Sequence, residues 1–268
     1  NTFENGKTIG SLIKVPALDY ATIETVIDKL NHKVVPTTFN TYFVSDGSAQ
    51  LKILLNQAKV LSQQYDVMIT NPPYISPSSM EAPVKEYATK NYPNSKTDMF
   101  AMFMEAGFVK QYGFIAMINQ DSWMALKSYQ NLRKELGKRV FVTQINLGIG
   151  TFEELNSKIV QSTSFVFRRA DIPGFITVYD RLFEREGLSE DPKLKEERLI
   201  NGTHRYYAKQ EDFLVIPGAP IAYWLSKNAL SAFTVGQVLS EISTIRVGLQ
   251  TSDNNRFLRF WYECSLNN

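Results

Sequence analysis

Apolar and polar positions along this chain fall into short blocks, and the period within each block predicts its element. From Asp19 the apolar positions Ile23, Val26, Ile27 and Leu30 follow helical spacing. A second helix is predicted from Ser48, as its cap, through Leu51, Leu54, Leu55, Ala58 and Leu61. Tyr65 to Thr70 has the length and the β-branched and aromatic content of a buried strand, and it stops at Asn71-Pro72-Pro73-Tyr74. Two consecutive prolines lack N–H donors and end any ladder there. A breaker-rich loop from Ile75 to Ser79 and a polar stretch to Pro93 follow, long enough to read as a mobile lid.

Beyond it, Thr97 or Asp98 can cap a helix whose apolar face is Met99, Phe100, Phe103, Met104 and Phe108 and which ends near Gly113. Phe114 to Ile118 is a nearly continuous apolar run, as in a parallel strand, and opens polar at Asn119-Gln120-Asp121-Ser122-Trp123. Ser128 to Leu136 reads as a helix stopped by Gly137, Val140 to Leu147 as the next strand, and Ile159 to Phe167 as another. Phe175 to Tyr179 is expected to pair with that last strand after a turn at Pro173-Gly174. Glu184 to Glu197 reads as an exposed helix or flexible insertion, and Pro220 to Leu230 as a short helix started by proline. The alternation implies an α/β fold with a mostly parallel sheet, an antiparallel strand toward its C-terminal edge, and ligands at the carboxyl ends of the strands.

Composition narrows the class. With 268 residues and 44% hydrophobic content the chain can bury a sizeable core. One cysteine, Cys264, excludes an internal disulfide framework and a cysteine-based zinc site within the chain, and fits a reducing cytoplasm. No apolar run reaches the ~18 residues of a membrane span, so the chain reads as soluble, with no membrane partner. A net charge of +2 does not announce a nucleic-acid partner, and any basic face must be local. The candidates are Arg133, Lys134, Lys138 and Arg139, then Arg168 and Arg169, then Arg246, Arg256 and Arg259. His32 reads as surface and His204 as structural, and Asp191-Pro192-Lys193 lacks the partner carboxylates of a nuclease. Gly148-Ile149-Gly150 lacks the third glycine and the downstream acid of a dinucleotide loop.

Asn71 to Tyr74 thus presents an amide, a rigid turn and an aromatic ring at the expected site of chemistry; taken alone, it is equally a β-turn closing a strand. The stretch Asp66 to Tyr74 resembles the catalytic motif of the N6-adenine DNA methyltransferases. With Gly10-Ser11-Leu12-Ile13, the segment Asp98 to Asn119, and Arg246 to Thr251 leading to Asn254-Asn255-Arg256-Phe257, the chain is most similar to the PglX-type methyltransferases of BREX phage defence.

The resemblance implies a Rossmann-like methyltransferase sheet over residues 1–232 and the hinge and beginning of a target-recognition domain over 233–268. It implies S-adenosylmethionine as methyl donor, double-stranded DNA as partner, and other defence-system proteins as further partners. Asn71, Pro72, Pro73 and Tyr74 become catalytic. Tyr74 and Phe152 stack on the flipped base, although Phe152 read alone is core. Thr97, Asp98 and Phe100 fall at the donor, Arg246 and Arg256 at DNA, and the stretch behind Tyr74 becomes a lid or DNA-facing loop. The family's glycine-rich donor loop and its ribose-binding acid have no counterpart before Asp66. The chain is therefore expected to be an internal piece of a larger enzyme, binding the donor weakly and not methylating by itself. A fused restriction enzyme, a methyltransferase of RNA or of a protein glutamine amide, and a non-catalytic DNA- or protein-binding module of degenerate fold remain open beside it.

Overall fold

A computed structural model describes residues 2–33, 38–152 and 160–244, with 253, 256 and 258; over 30–33 and 38–45 it describes the backbone alone. In chain order the elements are α1 (Gly6–Ile9), α2 (Tyr20–Lys33), α3 (Thr38–Ser62), β1 (Tyr65–Thr70), α4 (Ala82–Asn91), α5 (Met99–Glu105) and β2 (Val109–Gln120). Then come α6 (Gln130–Leu136), β3 (Val140–Gly148), β4 (Ser162–Arg168), β5 (Ile176–Arg181), α7 (Pro192–Asn201), β6 (Arg205–Lys209), α8 (Lys227–Val235) and α9 (Leu239–Ile242).

The six strands among the described residues form one sheet in the order β1-β2-β4-β3-β5-β6. β1 runs parallel to β2 and β3 parallel to β5, while β4 is antiparallel to both β2 and β3, and β6 is antiparallel to β5. β1, β2, β3 and β5 therefore all point the same way, and their carboxyl ends lie along one edge. Gln120 of β2 and Gly148 of β3 are both level with Ser162 of β4.

Several sequence expectations change here. β4 does not pair with β5 across the Pro173-Gly174 turn; it slots between β2 and β3. The antiparallel strands are thus one internal and one at the edge. β1 is not buried: it is an edge of the described sheet, with Ile69 78% exposed and Val67 53%. α3 starts at Thr38, so Ser48 lies inside it rather than capping it. α5 ends at Glu105, well before Gly113, because β2 already begins at Val109. The proline-started helix at Pro220 is absent. The helix there begins at Lys227, where the Ser226 hydroxyl accepts from Ala229 N–H at 3.2 Å as a cap.

The stretch behind Tyr74 is not a loose lid. It contains α4, with Pro83 in its first turn, and α4 buries Val84 and Ala88. These join Ile9, Leu12, Ile13, Tyr92, Met99 and Met102 in one apolar cluster, and the Tyr92 hydroxyl donates to Leu12 O at 2.8 Å. The first residues fold into α1 and a 3-10 turn, which give that cluster Ile9, Leu12 and Ile13.

The main core lies over the sheet. Trp123 stacks on Phe141 (centroids 5.8 Å, 12° between planes) and meets Phe165 edge-on at 5.5 Å. α5 sits between the two cores and is apolar all round: Met99 and Met102 face one cluster, Phe100, Ala101 and Met104 the other.

Candidate active site

β1 ends where Pro72 and Pro73 cannot donate to the ladder, and it leaves Asn71 exposed, Pro72 buried and Tyr74 half-buried. β2 runs on past the last β1 pair, Thr70 with Met117, so its residues Ile118 to Gln120 lie beside the turn. Two contacts hold Tyr74. Its ring meets Phe100 edge-on (6.0 Å, 80°), and its hydroxyl points at Ile118 O from 3.5 Å. Burial, with the Asp98 carboxylate second, pushes its phenol up to about 12.

Asp98 is the second fixed point. It caps α5, accepting from Phe100 N–H at 3.3 Å, and the same oxygen accepts from Ile75 N–H at 3.0 Å. Its other oxygen accepts from the Gln120 side chain at 3.3 Å. Ile75 O in turn accepts from Met99 N–H at 3.1 Å, so both backbone polar groups of Ile75 are held by the start of α5. The residue after Tyr74 is therefore clasped at two points. Asp98 is only 5% exposed, and burial raises its carboxyl above the ordinary range despite these donors.

Of the residues expected at the donor, Phe100 is fully buried behind Tyr74, and Asp98 has both oxygens engaged. Thr97 is half-buried, and its hydroxyl is itself buried beside the Tyr129 phenol.

Phe152 is half-buried just past the carboxyl end of β3. β2 and β4 stand between it and β1, a separation of roughly 14 Å at three strand spacings. The ring that Tyr74 meets is Phe100, not Phe152. Gly148 and Gly150, whose spacing looked like a weak nucleotide loop, have a structural reason of their own. Both have positive φ (68° and 78°), and a Cβ on Gly148 would stand 2.7 Å from Phe183 Cδ1.

Arg246 and Arg259 lie outside the described residues. Arg256 is exposed, and its backbone N–H donates to Asp253 Oδ1 at 3.1 Å. Three of the other candidate arginines turn inward. Arg133 is 3% exposed and donates to the carbonyls of Trp123, Leu126, Gly218 and Ala219. Arg139 donates to Met104 O, and Arg169 to Val109 O. Arg168 lies along Tyr112 and Phe114 and donates to Tyr112 O.

Gln120, which ties β2 to Asp98, was not singled out in the sequence; the only sign of it was the polar opening after Ile118. Among the described residues no helix is long and apolar enough to cross a membrane.

The Eco57I restriction-modification methylase family matches residues 14–147. The chain is 35% identical to an adenine-specific methyltransferase PglX of Lacticaseibacillus casei (strain Zhang), over 97% of this chain and 22% of that protein. It is also 35% identical to an adenine-specific methyltransferase BrxX of Escherichia coli O9:H4 (strain HS), over 99% of this chain and again 22% of that protein. The chain thus spans 22% of the length of the curated relatives it matches. Among solved structures, the type IIG restriction endonuclease BpuSI aligns at 15% identity with a TM-score of 0.41, over 60% of this chain and 21% of that one.

Proposed function

The chain belongs to the Eco57I restriction-modification methylase family, and on that premise we propose that it supplies the catalytic turn of a site-specific DNA adenine-N6 methyltransferase, in phage defence or restriction-modification. The observation that carries the reading is the exposed amide of Asn71 at the carboxyl end of β1, ahead of a tyrosine braced by Phe100 and clasped through Ile75 to Asp98.

The exocyclic amine of adenine is a poor nucleophile, because its lone pair is delocalised into the ring. Two acceptors aimed at its two N–H bonds draw it toward tetrahedral geometry and free that lone pair. The Asn71 side-chain oxygen and the Pro72 carbonyl are these acceptors, and Pro73 with the Ile75 clasp keeps them aimed, which is electrostatic preorganisation. S-adenosylmethionine supplies an electrophilic methyl group. Once methylated, with the donor's sulfur gone as a neutral thioether, the nitrogen would be cationic and acidic and would lose its proton to solvent. The two carbonyls only accept hydrogen bonds, so no general base is needed.

The adenine must leave the duplex, at a cost of a few kcal/mol. Stacking offsets this, at roughly 1–3 kcal/mol per aromatic face. Tyr74 supplies one face, and Phe152, on the loop beyond β3, reaches the other only when that loop crosses the gap of roughly 14 Å between the two strands. At the donor side Thr97 forms part of the wall, and Asp98 and Phe100 hold that wall from behind. Arg246 and Arg256 neutralise DNA phosphates. Residues 233–268 lead into target recognition, and other proteins of the same defence system complete the assembly in the cytoplasm.

The test is methyl incorporation from labelled S-adenosylmethionine into duplex DNA by the full-length protein. Asn71→Ala is expected to lower it by at least about 100-fold, as loss of an oxyanion-hole-type contact does, with an unchanged melting temperature because Asn71 is exposed. Methylation unaffected by Asn71→Ala, or absent from the unmodified full-length protein, overturns the proposal.

A further inference from the structure

The carboxyl edge of the sheet carries a cavity of about 500 Å³, which neither Asn71, Tyr74 nor Phe152 lines. It opens over the ends of β2, β3 and β5. Its wall includes Asp121, Gln161, Arg181, Glu186, Tyr223 and Trp224.

These groups are arranged with some capacity to spare. The Asp121 backbone N–H donates to Gln161 O at 3.0 Å. The Gln161 amide, in the orientation that satisfies both its neighbours, donates to Asp121 Oδ2 at 3.2 Å and accepts from Gly187 N–H at 3.3 Å. Asp121 Oδ1 is left over as an acceptor. Burial, and then the charge of Glu186, push the Asp121 carboxyl up to about 6. Arg181 lies between rings, 4.6 Å from the centroid of Phe183 and 5.8 Å from that of Trp224, and reaches Glu186 only at 3.6 Å. Its Nε and the Tyr223 hydroxyl are buried without a partner among the described residues. Trp224 is held edge-on by Tyr223 at 5.0 Å and stays 42% exposed.

This wall discriminates by chemistry. Phosphate or carboxylate ligands meet two carboxylates at Asp121 and Glu186. A cation meets Arg181. An aliphatic ligand leaves the polar atoms of Asp121, Arg181 and Tyr223 unmatched, which is costly in a partly buried cavity. What fits is a neutral, flat ligand with an N–H donor on one edge, an acceptor beside it, and a π face for Trp224.

We propose that this cavity is a nucleobase pocket separate from the Asn71 turn. It takes a base bearing an exocyclic amine, with the amine on Asp121, the adjacent acceptor facing Arg181 and the ring plane against Trp224. Thymine, which has no exocyclic amine, is rejected. The pocket goes beyond the methyltransferase reading and does not depend on it.

Cytidine is the probe that separates the two sites, because it is not an adenine. The full-length protein is titrated calorimetrically with cytidine, thymidine and ribose, without DNA. Cytidine is expected to bind saturably in the millimolar range, thymidine and ribose at least about tenfold more weakly. Asp121→Asn and Trp224→Ala should each weaken cytidine at least about tenfold, the second at a half-exposed position that folding does not require. Asn71→Ala should leave cytidine binding where it was.

A second arm uses duplexes with 2-aminopurine at single positions around the methylated site. A change in 2-aminopurine emission that Trp224→Ala abolishes identifies the base as one drawn from DNA, whereas cytidine binding without such a change identifies a free nucleoside; either supports the pocket. No saturation by about 10 mM cytidine, equal binding of thymidine or ribose, or indifference to both Asp121→Asn and Trp224→Ala overturns it. Cytidine binding without any methyl transfer sinks only the catalytic proposal.

Discussion

Asp98 takes the backbone N–H of Ile75 on one carboxylate oxygen at 3.0 Å, and so joins the cap of α5 to the turn that ends β1. A cap and a strand exit, 23 residues apart in sequence, share a single buried acceptor. Asp98→Ala therefore strips partners from Ile75 N–H, Phe100 N–H and the Gln120 amide at once. The expected loss is about 2–4 kcal/mol, from one helix cap plus buried donors left unmatched. Urea unfolding measures it, and a midpoint within error of the parent would mean that the clasp contributes nothing.

Asp121 makes stability depend on pH in a defined direction. Its carboxyl is raised from 3.8 to about 6 in the folded chain, so the folded state holds the proton more tightly than the unfolded one. The favourable contribution is complete below about pH 4 and is lost as pH rises through about 6. Asp121→Asn should match the parent near pH 4 and exceed it by roughly 2 kcal/mol at pH 7, after allowance for partial solvation. Denaturant unfolding at the two pH values decides; an equal difference at both would show that the carboxyl is not raised.

Arg133 holds four carbonyls of two segments, with distances of 2.7–3.1 Å to Trp123, Leu126, Gly218 and Ala219. Arg133→Met keeps much of the volume but leaves these acceptors bare, at a cost of roughly 3 kcal/mol. Arg133→Lys should recover less than half, since an ammonium cannot reproduce a fork. Thermal unfolding of the two variants checks the order, and a Lys variant as stable as the parent would contradict it.

Gly148→Ala places a methyl group 2.7 Å from Phe183 Cδ1 at a φ of +68°. Strain and contact together should cost about 1–3 kcal/mol. A differential scan that finds no drop in melting temperature would show that Phe183 moves aside freely.

Much of the site was legible because it is local. Two prolines after a β-branched run mark the end of β1, and an aspartate before Met99-Phe100 marks a cap, whatever the rest of the chain does. What escaped was long-range. Pairing of β4 with β5 was a reasonable hairpin reading, but Phe165 and Phe167 bury better against Phe141 and Trp123, and that preference belongs to the assembled core. Arginine position in sequence likewise carries no sign of whether the side chain faces water or a set of carbonyls, as Arg133 does. The Asp98–Gln120 bond joins two elements whose ends meet only once β1 and β2 are paired. α3 begins ten residues before Ser48: Phe39, Tyr42 and Phe43 already keep the helical period there, but Asp46-Gly47-Ser48 reads locally as a boundary.

The interposed position of β4 fixes an order of events during synthesis. β2 and β3 share no ladder with each other; each is bonded to β4, which the ribosome delivers after both. While the nascent chain ends short of Arg168, β2 and β3 have no partner that sets their spacing, and Phe141 and Trp123 lack the two phenylalanines that close over them. The turn at Asn71 can form early, since β1 needs only β2. Its place relative to the loop beyond β3 is decided only when the seven residues of β4 enter the gap, so the two halves of the carboxyl edge mature as one late step.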